Sequence, residues 1–460
     1  MTYASKFFIM KLTRLLGFSF LLLSIISFNA CRKDTATPTT ILGKKSSEFD
    51  ANVVNAWYGQ TLILVRTTSG YTPPVAARNF GYLGVALYEA VLPGSPNNAS
   101  MVGQLNGLIS TPKVELGKEY YMPACANAAL AKMNTYLFPL PEAKQVKFDS
   151  IATIKNYYDG KFKSEGVAQD VLDRSNAYGE AVANAIYEWS KADVIGHEAF
   201  RKNFPASYTP PTGEGLWVPT GAQLIPLQPF WGSVRGFIPN SIKISQPSAP
   251  PTFSKSVNSD MYNYALQVFN TVKNITPEQK TIALYWADGG GTVTPPGHSI
   301  AIAKQLAEEK TLALDKSAEV YAKVGLAVGD AFIACWKCKY VYNLMRPETY
   351  IKQNIDPTWK PIIATPPFPE YTSGHSSQAG AVAYVLGSIF GNNTPFIDKT
   401  NTLRKDIDGK PRAYTSFMVM AEEAAKSRLY GGIHYQFGND NGLTTGVKIG
   451  KALENIKFAK

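Results

Sequence analysis

Apolar residues along this chain recur at three- and four-residue intervals much more often than they alternate. Val54, Trp57, Tyr58, Leu62 and Val65 form one such stripe, and after Pro73-Pro74 the spacing returns in Ala76, Phe80, Leu83, Leu87 and Val91. Residues so spaced share one face of an α-helix, so both stretches predict amphipathic helices. The same period predicts helices over 118–134, 141–158, 167–191, 258–272, 277–286, 298–314, 317–345, 376–390, 416–428 and 439–457. Few alternating strand patterns compete, and no internal repeat is evident. The fold class expected is all-α: two packed helical bundles, 49–255 and 256–460. Between them, 203–252 is rich in Pro, Gly and aromatics around Trp217, Pro219, Trp231 and Pro239. That composition predicts a long irregular excursion, and ordered loops of such length are often functional.

The N-terminus breaks the pattern. Lys6, Lys11 and Arg14 precede an apolar run from Leu15 to Phe28, with Ala30 directly before Cys31. A basic start, a short apolar stretch and a small residue at the cut site read as an export signal over 1–30. A membrane span needs about 20 apolar residues, and this run is shorter. Ala30-Cys31 and the polar stretch after it suit a lipoprotein signal with Cys31 lipidated. Residues 31–48 then read as a tether, and an enzyme anchored to the cell envelope is expected, or simple secretion if Cys31 is not modified.

Composition narrows the classes. With 460 residues, 45% hydrophobic and 18% charged, the chain can bury a large core, and Cys31, Cys125, Cys335 and Cys338 are too few for a disulfide framework. The net charge of +11 falls to +8 without the leader, 43 basic residues against 35 acidic. A mild surplus suits a small anionic substrate or an anionic membrane surface. No long basic run or basic stripe with interleaved aromatics appears, which argues against nucleic acid. A homo-oligomer is left open.

Candidate chemistry gathers in the last third. Ser373-Gly374-His375 stands where a helix begins, and unpaired N–H groups at a helix start favour an anion. Ser427-Arg428 precedes His434 by a turn containing Gly431-Gly432, which lets both side chains face one cavity. Lys339 and Arg346 are expected near the end of one long helix, with Pro347 stopping it. Each element alone also fits a plain cap or a solvated charge. Cys335 and Cys338, at helical spacing, are expected to pack as small hydrophobes. His298, after Pro295-Pro296-Gly297, suits a cap or a supporting role, and His197 has no chemical company.

Together, Lys339 through Arg346-Pro347, Thr372-Ser373-Gly374-His375 and Ser427-Arg428 through His434 closely resemble the signature of the superfamily joining vanadium haloperoxidases and type 2 phosphatidic acid phosphatases. Order and internal spacing agree. Thr372 stands where a proline is usual, and Gly438 where an acidic residue often follows the last histidine, so the partner orienting His434 must lie elsewhere. Trp336 and Phe368 sit where soluble haloperoxidases carry pocket aromatics, and Trp286-Ala287-Asp288 is also similar to that branch.

The resemblance implies that Lys339, Arg346, Ser373, Gly374 and Arg428 cradle vanadate, with phosphate able to take the same place. It implies His434 as the vanadium ligand, His375 as the acid–base group and Lys339 polarising peroxide, with halide and a small organic acceptor as the other reactants. The alternative is a phosphoesterase acting on a phosphate ester, with His434 as nucleophile. A non-catalytic descendant would show a broken cationic set, and this set is complete.

Overall fold

The computed structural model describes residues 40–460. The leader, Cys31 and most of the expected tether lie outside the described residues. Ordered contacts begin before Phe49: Leu42 bridges to Glu119, and Ser46 is buried in a 3-10 turn at Ser46–Glu48.

The protein is all-α apart from one short antiparallel pair, Phe396–Asp398 (β1) with Arg412–Tyr414 (β2). In chain order the first helices are α1 (Asn52–Thr67), α2 (Pro73–Val91), α3 (Met122–Leu137), α4 (Gln145–Ser164) and α5 (Gln169–Lys191). After a single turn, α6 (Ser241–Ile244), come α7 (Asp260–Lys273), α8 (Pro277–Tyr285), α9 (Thr294–Glu309) and α10 (Leu314–Tyr342). The last are α11 (Pro347–Asn354), α12 (Gly374–Phe390), α13 (Phe417–Tyr430) and α14 (Gln436–Ala452). All the helices expected from periodicity form, with ends displaced by a few residues.

The long helix α10 is the axis of the fold, and most of its residues are buried. Against it lies α2, and the two approach closely because glycines face each other's backbone. A Cβ on Gly325 would fall 2.5 Å from the Phe80 carbonyl oxygen, and one on Gly84 2.8 Å from the Ala322 Cα. Since α2 belongs to the first half and α10 to the second, the expected boundary near 255 is no break in packing: Ile41–Lys460 forms one unit. Two apolar clusters meet on α10, where Cys335 and Trp336 join the larger and Cys338 the smaller. All three described cysteines are free and buried.

One expectation fails at the end of α10. The helix does not run on to Arg346. Asn343 takes a left-handed conformation (φ 44°) and closes it, and Arg346 is instead the extended N-cap of α11, with Pro347 in the first turn. Asparagine tolerates positive φ, and proline is favoured at a helix start, so the local chemistry starts a second helix where one was expected to stop.

The excursion at 203–252 is largely irregular and is bound to α10. Buried Asp330 accepts the backbone N–H groups of Phe237 (2.6 Å) and Ile238 (2.9 Å) and the Ser241 hydroxyl (2.6 Å). Farther along, the Leu227 carbonyl accepts Trp336 Nε1–H at 3.2 Å, and the Leu227 N–H donates to Pro367 O at 2.8 Å. The loop thereby fixes a helix side chain and the turn opposite it.

A buried clamp ties the start of α9 to β1. The His298 ring contacts Asp288 through Nδ1 (2.9 Å) and Asp398 through Nε2 (2.8 Å), and stacks on Trp286. Burial alone would lower its pKa, but the two carboxylates outweigh burial and raise it to about 10. His298 is therefore an imidazolium shared by two carboxylates, in line with a supporting role.

Two outcomes follow. His298→Gln leaves the buried carboxylates uncompensated and should cost about 3–5 kcal/mol in denaturant unfolding. Because the folded pKa is raised, the clamp's contribution is full below the unfolded value near 6.5 and declines as pH rises toward about 10. The wild-type stability advantage over His298→Gln should shrink across that window. Separately, Gly325→Ala should cost about 1–3 kcal/mol through overpacking, read as a lower denaturation midpoint.

Candidate functional site

His434 occupies the tight connection between α13 and α14. Gly432 there has φ 77°, in the left-handed region open to glycine, and the Ile433 N–H returns to the Arg428 carbonyl at 3.2 Å. The turn brings Arg428 and His434 to one cavity, as their spacing predicts. His375 and Gly374 reach the same cavity from the first turn of α12. Trp336 comes from α10, and Phe368 from the turn before α12. The cavity has a volume of about 430 Å³.

Arg346 joins through His434. Its Nη1 donates to His434 Nε2 at 3.1 Å and to Ile433 O at 2.9 Å, while its Nε donates to Phe368 O at 2.8 Å. A guanidinium can only donate, so His434 Nε2 is the acceptor and the ring's hydrogen sits on Nδ1. Nδ1–H in turn meets Glu370 Oε1 at 2.7 Å, and that oxygen also accepts the Tyr435 N–H at 3.2 Å. Glu370 is the partner that the glycine at 438 left to be found. Nothing local in Phe368-Pro369-Glu370-Tyr371 marks it, and the missing acid at 438 was the only signal.

Lys339 lies against the site without a spare proton. Its Nζ donates to the carbonyls of Pro369 (3.0 Å), Glu370 (2.9 Å) and Thr372 (2.6 Å), and the ammonium stands 5.0 Å from the Phe368 ring centroid. Its charge bears on the cavity through the field, whereas the resemblance implies a direct grip. Ser373 caps α12: its hydroxyl accepts the Ser376 N–H at 3.4 Å and the Ser376 hydroxyl at 2.9 Å. Gly374 keeps the approach open, since a Cβ there would stand 3.4 Å from the Trp336 ring.

Electrostatically the centre is crowded with buried cations. Burial lowers Lys339 to about 8 and Arg346 and Arg428 to about 10, so all three stay charged at neutral pH. Burial, reinforced by these cations, holds His375 and His434 well below the ordinary imidazole range, so both are neutral. Burial also raises Glu370 to about 7, against the pull of Lys339 and Arg346. Behind the cavity, Asp288 faces Arg428 and is held from the far side by His298. The Trp286 carbonyl accepts Arg428 Nη1–H at 2.9 Å and is also the backbone partner of the His375 ring.

A tetrahedral oxyanion fits this donor set. Arg346 Nη2 and Arg428 Nε, groups that can only donate, are buried with no partner among the described residues. Each such group costs about 1–3 kcal/mol unless something satisfies it. An oxyanion supplies both the acceptors and the missing negative charge. Among the described residues no cluster of three or more His, Cys, Asp or Glu could hold a bare metal ion. No described helix is long and apolar enough to cross a membrane. His197 stands apart, edge-on to Tyr187 at 5.8 Å.

Known proteins resemble this chain to different extents. Residues 319–458 match the family model for the VCPO second helical-bundle domain. Vanadium chloroperoxidase of Curvularia inaequalis is 32% identical over 25% of this chain, a match that spans 23% of that protein. The crystal structure of the first bacterial vanadium-dependent iodoperoxidase superposes with a TM-score of 0.79 at 32% identity, covering 91% of this chain and 99% of that one. A holo-type bacterial vanadium-dependent chloroperoxidase superposes at TM-score 0.61 over 84% of this chain and 92% of its own, and at 14% identity it shows a shared fold alone. With a relative of that identity matched along nearly its whole length, this chain belongs to the vanadium haloperoxidase family.

Proposed function

We propose that the protein is a vanadium-dependent haloperoxidase that oxidises halide with hydrogen peroxide at a vanadate held by His434. The observation that carries this is the His434 tautomer: Nδ1–H is fixed on Glu370, so Nε2 carries the lone pair, which accepts from Arg346 Nη1 and would serve as the ligand atom once that guanidinium turns to the anion. Arg346 and Arg428 would hold the anion's oxygens through their unpartnered N–H groups, with the Gly374 N–H and Ser373 at the helix start beside them. Bound vanadate would supply a Lewis-acidic centre that activates peroxide toward halide.

His375, neutral and lining the cavity, would serve as the acid–base group, holding or releasing a proton at its unpartnered Nε2. Lys339 would add positive charge from behind the carbonyls that engage it. The cavity, far larger than peroxide and halide need, leaves room for a small organic acceptor against Trp336 and Phe368. The leader and Cys31 add an exported enzyme, lipid-anchored to the cell envelope, to the proposal.

The same tautomer would serve a phosphoesterase in which His434 attacks phosphorus and His375 protonates the leaving alcohol. The family relatives favour the haloperoxidase reading.

Purified protein should therefore oxidise iodide, bromide or chloride with peroxide only after vanadate is added. His434→Ala should lose stoichiometric vanadate, and stoichiometric retention in that variant would refute ligation there. His375→Ala should keep vanadate while turnover falls by about 10²–10⁴-fold. Brisk hydrolysis of a phosphate ester by vanadate-free protein, with no halide oxidation after loading, would establish the alternative instead.

A further inference from the structure

We infer that Glu370 is the residue that positions His434, and that Gly438 is the other half of the same device, a carboxylate moved from α14 to the turn before α12. The inference rests on the proposed function only in taking His434 as the group that meets the anion.

Three observations converge. Glu370 is fully buried and directs one oxygen at both His434 Nδ1–H and the Tyr435 N–H, so it fixes the ring and the backbone that carries it. Its own backbone is held at both ends, with N–H donating to Leu344 O at 2.9 Å and its carbonyl accepting Lys339 Nζ–H at 2.9 Å. The carboxylate has therefore little freedom to turn away.

The third observation is steric. A Cβ at position 438 would lie 2.3 Å from Glu370 Oε1 and 3.0 Å from its Cδ and Oε2. The carboxylate occupies the volume where a side chain at 438 would begin, so Glu370 and any residue larger than glycine there exclude each other. A carboxylate on α14, one helical turn past His434, and one arriving from Glu370 are thus alternative ways to fill one space.

A hydrogen bond of this kind sets which ring nitrogen is free and where it points, without touching the anion. Glu370 is accordingly a positioning residue, and its replacement should alter the ring before it alters chemistry.

The test uses the full protein and four variants: Glu370→Gln, Glu370→Ala, Gly438→Asp, and Glu370→Ala with Gly438→Asp. The first readout is the His434 ring-nitrogen shifts in vanadate-free protein, and the second is vanadate affinity by titration calorimetry, with melting curves as a check on folding. Wild type should show hydrogen on Nδ1. Glu370→Gln, whose amide oxygen still accepts, should keep the Nδ1–H hydrogen bond, whereas Glu370→Ala should lose it, shift the Nδ1 resonance and bind vanadate about 10–100-fold more weakly. Gly438→Asp alone should melt lower because it collides with Glu370. The double variant should recover the Nδ1 resonance and most of the affinity. An unchanged Nδ1 resonance and unchanged affinity in folded Glu370→Ala would overturn the positioning role. A folded double variant no better than Glu370→Ala would overturn the exchange between the two positions. If wild type binds no vanadate, the haloperoxidase reading fails, while the ring-nitrogen shifts still decide what Glu370 does.

Discussion

Lys339, Arg346 and Arg428 hold three positive charges out of water around one cavity, and the described residues place two carboxylates, Glu370 and Asp288, in their field. Buried charge is costly unless it is paired and hydrogen-bonded, so such a centre survives only where surrounding structure saturates most of its donors. That requirement explains much of the architecture around it. Backbone carbonyls from the turn before α12 surround Lys339, and Phe368 and Ile433 carbonyls take Arg346. Arg346 Nη2 and Arg428 Nε keep no partner among the described residues, and an oxyanion would satisfy both.

Support for the site is layered. Directly around the cavity are neutral imidazoles and guanidinium groups. Behind them stand Glu370 under His434 and Asp288 under Arg428, and behind Asp288 the His298 imidazolium, itself braced by Asp398. Charge alternates outward from Arg428 through Asp288 and His298 to Asp398, so opposite charges face one another along this line. Such a chain limits rearrangement when an anion enters, because no member can shift its proton without exposing a neighbour's charge.

The helices were legible in the chain because a buried helical face must repeat every three or four residues, and nothing in the tertiary structure overrides it here. The same holds for Ser373-Gly374-His375 and for Arg428 with His434, whose partners lie within one turn. Arg346 was misplaced because a single asparagine, tolerant of positive φ, turned one expected helix into two. Glu370 was invisible because its partner lies in the distant connection between α13 and α14, and a contact between distant segments leaves no local spacing to read. Lys339 was located correctly in the chain, but its engagement with three carbonyls is a property of the turn it meets.

The loop bound by Asp330 bears on how this fold could be inherited. The region shared with other members as a second helical bundle begins on α10, yet Trp336 within it leans on Leu227, far outside that region. Cut at such a border, the bundle would carry the charged centre away but leave behind the carbonyl that holds Trp336 and the cavity wall drawn from residues 65–73. Recombination between lineages at that point would be penalised, and the two halves would be expected to descend together, as a single heritable block.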